Sequence, residues 1–380
     1  MPNANDANED PPDLEDALLR RATWTAAPAA VVRSGREAMS VELALTVFRQ
    51  MLRTRALEER SIKMSKSGEA YFWIGGPGEE AFNVCLGLQV HKGRGPAYDY
   101  LHLHYRNAGV MLAMGMPMIE HTRQLAMRVT DRHSRGRNFV GHYAIPEWNV
   151  VPVSSVIEVQ FSMAPGTALV QRRHGAKNPS ENEGITVVVG GEAGTAEGDF
   201  ESCLNWCTRP GNEVPVLMMV TNNHFGISTD LDTVHTHRPI ADRAIPYGIR
   251  HETIDGNDPV ATWNGIDRAM RYCRRERKPF LLVANVSRLH GHSSSSGAQR
   301  NWKETDPIEV FEQKLIDAGA IDSAAVQTLK DETKKEADEA VVQTMKEAEP
   351  TREDVYAFTY APSEVDAVYP KDFTGLPGVR

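Results

Sequence analysis

A doubly wound α/β fold, one mostly parallel sheet with helices on both faces, is what this 380-residue chain predicts, and one stretch carries the prediction. Ile185 to Val189 (ITVVV) is a β-branched run that ends in Gly190-Gly191. Phe200, Cys203, Leu204 and Cys207 then recur at i, i+3, i+4 and i+7, the spacing of one helix face. Val214 to Val220 is a second apolar run, and it ends in Asn222-Asn223. Strand, glycine turn, helix, strand and polar turn make a βαβ unit. In open α/β sheets ligands bind outside the carboxyl ends of such strands.

The polar groups at those ends suit a metal-bridged diphosphate. A hard cation such as Mg²⁺ wants oxygen ligands and shares some with phosphates. Glu192 offers a charged oxygen and an Asn amide a neutral one, while Gly190, Gly191 and Gly194 let backbone approach an anion beside a helix start. An ordinary βα turn with Asn222-Asn223 as turn formers accounts for the same residues.

Gly191-Glu192-Ala193, Thr195, Glu197-Gly198-Asp199-Phe200 and Asn222-Asn223-His224-Phe225-Gly226-Ile227-Ser228-Thr229 resemble the thiamine diphosphate motif. More narrowly, they resemble the α subunit of 2-oxoacid dehydrogenase E1 components. Glu192 stands where most relatives have Asp, and Ala193 replaces a second Gly. The resemblance implies a thiamine diphosphate-binding fold, with Gly191, Glu192, Ala193, Gly194 and Asn223 at the cofactor. Glu192, Asn223 and Phe225 are then the implied Mg²⁺ ligands.

Composition agrees. Hydrophobic residues are 41% and charged residues 24%, ordinary for a globular chain. The net charge of −9 argues against a nucleic-acid surface, and no apolar run reaches the ~18 residues of a membrane helix. Cys85, Cys203, Cys207 and Cys273 lack metal-type spacing and read as buried thiols of a reducing compartment. Residues 1–38 are acidic and rich in Pro and Asn, unlike a transit peptide, and are expected to be a flexible arm of a cytoplasmic protein. Residues 39–357 are expected to form the α/β domain with a helical extension, and 358–380 a tail with no assigned role. Val41 to Gly68 reads as a helix with Arg53, Arg55, Glu58, Glu59 and Arg60 on its exposed side. Gly75 to Gly78 breaks the chain before a second helix, Glu79 to Leu88. Relatives carry Gly-Gln-Glu-Ala here, and this chain Gly78-Glu79-Glu80-Ala81.

Four further motifs carry the resemblance. His104-Tyr105-Arg106-Asn107-Ala108-Gly109 is similar to the family's Tyr-Arg-x-x-Gly, which implies that Arg106 binds the diphosphate, with Tyr105 beside it. Arginine forks two donors onto phosphate oxygens in a way lysine cannot. Residues 136–160 (GRNFVGHYAIPEWNVVPVSSVIEVQ) look like the branched-chain members, in which Ser155 and Ile157 would contact the cofactor's pyrimidine. Those members place K⁺ by Ser154 and Gln160, but Val159 lacks the hydroxyl they use, which makes that ion doubtful. Read bottom-up, Ser154 or Ser155 is an N-cap. Arg288-Leu289-His290-Gly291-His292-Ser293 and the serines after it read as a mobile loop over a site. By resemblance His292 is the catalytic histidine, reaching the diphosphate and the reacting carbonyl. Ser296 replaces the usual Asp. Asp255-Gly256-Asn257-Asp258 is a turn and N-cap. Ile308 to Glu349 is an amphipathic helical segment.

The implied activity is oxidative decarboxylation of a branched-chain 2-oxo acid with acyl transfer to lipoamide on E2. The carboxylate that activates the cofactor belongs to a β subunit in two-chain members, so an α2β2 heterotetramer is expected. Three other readings stand beside it: a pyruvate-type α subunit, a Mg²⁺-dependent nucleotide enzyme, and a binding or regulatory paralogue. Thr221, where branched-chain relatives carry a phosphate-binding Arg, supports the paralogue. Neither G-x-G-x-x-G nor G-x-x-x-x-G-K-[ST] appears, which disfavours the nucleotide enzyme.

Overall fold

In the computed structural model the described residues are 31–355. The acidic residues 1–30 and the tail after 355, with Tyr356 and Ala357, lie outside them. Residues 31–40, partly within the expected arm, form an antiparallel hairpin of β1 (Val31–Ser34) and β2 (Glu37–Ser40). Ser40 then caps α1 (Val41–Ser67), accepting from the Leu43 N–H, and Gly68 ends it at φ 78°.

Five parallel strands make the sheet, in the order β3 (Tyr100–His102), β4 (Thr186–Gly191), β5 (Val216–Asn222), β9 (Phe280–Asn285) and β8 (Arg250–Asp255). The short pair β6 (Phe225–Gly226) and β7 (Thr229–Asp230) stands apart. Side chains along a strand alternate between faces, and each face here has its own core. Val187, Val189, Leu217, Met219 and Leu282 join α1, α2 (Glu80–Gly87), α7 (Pro259–Glu276) and α8 (Pro307–Asp317). Val188, Val216, Met218, Val220 and Leu281 join α5 (Val159–Lys177) and α6 (Gly198–Cys207). Burial on both faces explains why β4 and β5 read as continuous apolar runs. Short helices α3 (Ala108–Ala113) and α4 (Met118–Leu125) follow β3. All four cysteines are free and buried, as expected.

Several expectations need correction. Arg53, Arg55 and Glu58 are buried, not on the exposed side of α1. Arg53 pairs with Glu336, and Arg55 with Glu80 and Asp306, while Glu58 accepts from the Trp73 indole N–H at 2.8 Å. A helix wrapped by its own C-terminal extension has little exposed side, and charge alone did not reveal the partners. Neither Ser154 nor Ser155 caps α5. Glu158 holds that position at φ 62°, and the Ser154 hydroxyl accepts instead from the Val156 N–H. The 308–349 segment is two helices, α8 and α9 (Ser323–Thr344), broken where Gly319 takes φ 66°.

Asp306 joins the extension to the domain. It caps α8 at the Ile308 N–H and accepts from Arg55 (2.8 and 3.0 Å) and Arg300 (2.7 Å). Burial opposes its charge, but hydrogen bonds from Arg55 and Arg300 prevail and hold the carboxyl down at about 2. A carboxylate depressed this way contributes stability present above its ordinary pKa near 4 and lost as pH falls towards 2. Asp306→Asn should cost roughly 3–5 kcal/mol, because it leaves the Arg55 charge buried with one partner fewer. Urea denaturation at pH 7 measures the loss, and at pH 2–3 the gap between variant and native chain should narrow.

Candidate active site at the carboxyl edge of the sheet

Because the five strands are parallel, their carboxyl ends share one edge, and the predicted motifs meet there. Arg106 follows β3, the Gly190–Gly194 turn ends β4, Asn222-Asn223 ends β5, and residues 287–292 follow β9. A narrow cleft is lined by Gly75, Gly76, Glu79, Arg106, Asn223 and His292, with Pro77, Ser287, Arg288, His290 and Gly291. A wider groove of about 710 Å³, between α1, α8 and α9, holds none of these turn residues.

Arg106 is the buried cation of the site. Its Nε donates to Glu79 at 2.7 Å, and among the described residues its terminal nitrogens have no hydrogen-bond acceptor. A Cβ added at Gly191 would stand 2.9 Å from Nη2, so a side chain there would crowd the guanidinium. Glu79 Oε2 is buried without a partner. Glu79 occupies the place where relatives carry Gln, and sequence reasoning passed over it. The clue was an acid beside a glycine break.

Two oxygens converge on one backbone group. The Phe225 N–H donates to Glu192 Oε1 at 2.7 Å and to Asn223 Oδ1 at 3.1 Å. Glu192 is 1% exposed, and burial raises its carboxyl above the usual range while Arg106 opposes that. Phe225 thus meets the other two candidate ligands through its N–H. The turn is held from behind, where the Glu192 carbonyl accepts from His235 and from the Thr195 hydroxyl, both at 2.7 Å. The Ala193 methyl faces Gly226, where a further Cβ would stand 2.6 Å away. Thr221 is buried and its hydroxyl donates to the Gly190 carbonyl at 3.5 Å. Neither Ala193 nor Thr221 lines the cleft.

Buried unpartnered Glu79 Oε2, free terminal nitrogens on Arg106, and two oxygens converging beside a glycine turn form a donor and acceptor set that fits a diphosphate with its cation. One carboxylate and one amide leave most positions around Mg²⁺ to phosphate oxygens and water. Among the described residues no cluster of three or more His, Cys, Asp or Glu able to hold a metal occurs.

The aromatic side of the site gathers residues from three motifs. The Tyr105 ring lies 3.8 Å from His104 and meets His292 edge-on at 6.1 Å. Arg106 lies 5.5 Å from the same ring. Ser155 shares a 2.6 Å hydrogen bond with His142 Nε2, and Ile157 is 46% exposed. His104 and His142 were not singled out as site residues. They lie within two of the quoted motifs, and the folded chain sets His104 against Tyr105 and within electrostatic reach of both His142 and His292.

The 289–301 segment, expected to be a mobile loop, is stitched to the glycine break. The Leu289 N–H donates to the Pro77 carbonyl and the Ser294 N–H to that of Trp73. Ser296 accepts from the Ser293 N–H at 3.0 Å, so the serine replacing Asp makes a local turn. Arg288, without that carboxylate, donates to the Ile227 carbonyl at 2.6 Å. Leu289 and Ala298 are buried, apolar anchors that the serine count concealed.

Burial first, then the charges of Arg106 and Arg288, push His292 down to about 4. The imidazole is therefore neutral at physiological pH, with one nitrogen donating and the other accepting. NMR titration of the His292 ring in the free chain should show a midpoint well below the ordinary ~6.5 of histidine. A midpoint at or above that value would mean that the ring does not face the two arginines.

The dehydrogenase E1 component family model matches residues 48–353, most of the described structure. The 2-oxoisovalerate dehydrogenase subunit alpha of Bacillus subtilis (strain 168) is 29% identical over 297 residues, covering 76% of this chain and 86% of the relative. The mitochondrial subunit alpha 2 of the same enzyme from Arabidopsis thaliana is 26% identical over 331 residues, covering 85% of this chain and 67% of the relative. The mitochondrial 2-oxoisovalerate dehydrogenase subunit alpha of Mus musculus is 27% identical over 328 residues, covering 84% of this chain and 71% of the relative. The parallel sheet, the motifs at its carboxyl edge and the extent of the match make one assignment: this chain belongs to the dehydrogenase E1 component family and has its thiamine diphosphate-binding fold.

Proposed function

We propose that the chain is the α subunit of a branched-chain 2-oxo acid dehydrogenase E1. In this reading it works with a β subunit in an α2β2 heterotetramer and passes its acyl product to lipoamide on E2. The observation that carries the reading is the convergence of Arg106, the Gly190–Gly194 turn, Glu192 and Asn223 at one sheet edge. The names of the relatives support the substrate class. Thiamine diphosphate, when bound, supplies the electron sink through which a 2-oxo acid loses carbon dioxide.

The chain's own residues supply position and charge. Arg106, with Nε fixed by Glu79, offers its terminal N–H groups to diphosphate oxygens as charge-assisted donors. Gly191, Ala193 and Gly194 bring backbone up to the same anion. Glu192 and Asn223 would hold Mg²⁺, with the Phe225 backbone beside them. Tyr105 packs beside Arg106 and keeps water from the guanidinium. Ser155, oriented by His142, and Ile157 would contact the pyrimidine. His292, neutral at working pH, donates to the reacting oxygen or accepts a proton during acyl transfer. No K⁺ site is included, since Val159 brings no hydroxyl.

Glu192→Ala should leave the fold intact and abolish Mg²⁺-dependent retention of thiamine diphosphate through gel filtration. Asn223→Ala should do nearly the same, because the cation has few protein ligands. Retention like that of the native chain in both variants would move the metal site elsewhere.

The substrate class is tested on the enzyme reconstituted with its β partner. 2-Oxoisovalerate should exceed pyruvate in kcat/KM by about tenfold, since a methylene in an apolar pocket is worth ~1–3 kcal/mol. Pyruvate or 2-oxoglutarate ahead in that competition would overturn the branched-chain assignment and leave the family intact. The chain alone should decarboxylate neither.

A further inference from the structure

Glu158 is a buried acid that the proposed chemistry does not use. It stands at the N-cap position of α5 with φ 62° and ψ 4°, a left-handed conformation that disfavours any residue with a side chain. Its side chain makes no cap hydrogen bond. Instead it reaches into the turn after β4. A Cβ at Gly190 or at Gly194 would collide with its carboxyl oxygens, and the Gly191 N–H donates to it. Gln160 Nε2 reaches it at 3.4 Å, while Gln160 Oε1 is buried with no partner. Arg106 attracts the group and Asp199 and Glu192 repel it. The concavity that two glycines leave is therefore filled by a side chain of the same protein.

We propose that Glu158 is an autoinhibitory occupant of the Gly190–Gly194 turn, displaced when a diphosphate enters. The inference rests on the cofactor reading above. Backbone N–H groups at a turn before a helix receive carboxyl and phosphate oxygens alike, so the two ligands compete for one space. Burial pushes the Glu158 carboxyl up to about 8. The group is thus largely uncharged near neutral pH and blocks by its volume and its hydrogen bonds. Its left-handed backbone is the hinge, since a change at this single residue re-aims the side chain. The neighbours on its amino side, Val156 (67% exposed) and Ile157, are not packed into the core. Displacement of Glu158 consequently moves the segment that carries Ser155 and Ile157, and cofactor entry becomes coupled to their placement.

Calorimetric titration of the protein reconstituted with its β partner, using Mg²⁺ and thiamine diphosphate at pH 7, tests this. Glu158→Gly suits the left-handed backbone and empties the turn, and it should bind about tenfold tighter than the native chain or better. Glu158→Ala should behave likewise and serves if glycine loosens α5. Glu158→Gln keeps the volume and should stay within about threefold of the native chain. Equal or weaker binding by both small-residue variants overturns the proposal, as does a glutamine variant that binds as tightly as the glycine one. If no protein in the series binds the cofactor at any concentration tested, the cofactor reading falls first and the inhibitory role with it.

Discussion

The buried pair between Arg106 and Glu79 is the constraint on which the site depends. Arg106 leaves the end of edge strand β3, and Glu79 stands at the start of α2, so their 2.7 Å bond ties the sheet to the first helical layer. Removing two charges from water is costly, and the pair's attraction repays this only where the remaining donors and acceptors find partners. Here they do not. Glu79 Oε2 is unpartnered, and the terminal nitrogens of Arg106 face the glycine turn. A pair incomplete by itself, at the carboxyl edge of a parallel sheet, is what an anionic ligand with its cation would complete.

A second group of carboxylates supports the first. Glu58 lies beneath Gly75, where any Cβ would collide with its carboxyl group. It accepts from the Trp73 indole and the Gly76 N–H (3.4 Å), and burial lifts its pKa to about 7. Glu80 accepts from the Gly78 N–H at 2.8 Å and pairs with Arg55. Glu58, Glu79 and Glu80 thus fix the glycine break from below, and the loop bearing His292 is stitched to that break from above. The same Arg55 continues to Asp306 and Arg300, which carries the network into the C-terminal helices. Positioning of His292 and docking of the helical extension are consequently parts of one electrostatic arrangement.

Strands β4 and β5 were legible because they are buried on both faces and end in glycine and asparagine turns, whereas edge strands β3 and β8, the latter largely exposed, carry no such run. Asp258 was legible too: a turn acid read as a cap accepts from the Val260 N–H at 3.0 Å. The features that sequence reading did not reach share a cause. Arg53, Arg55 and Glu58 look like a solvated helix face until long-range partners at 306 and 336 are known. The 289–301 segment looks unanchored because its ties are backbone bonds to residues 73–77. Glu158 was invisible as a site residue, since neither its left-handed backbone nor the glycines it fills are encoded nearby. Local periodicity reports strands, helices and caps, but charge pairing across more than 200 residues of chain is tertiary information.

The central claim is that one anion and one divalent cation complete the Arg106, Glu192 and Asn223 arrangement. Crystals grown with thiamine diphosphate and Mn²⁺ in place of Mg²⁺ test it through the anomalous signal of the metal. The account predicts a single strong peak about 2.0–2.3 Å from an oxygen of Glu192 and from the Asn223 amide oxygen, within the usual range for such ions. It also predicts diphosphate density between that peak and Arg106. A peak elsewhere, with Glu192 and Asn223 still sharing the Phe225 N–H, would contradict the account.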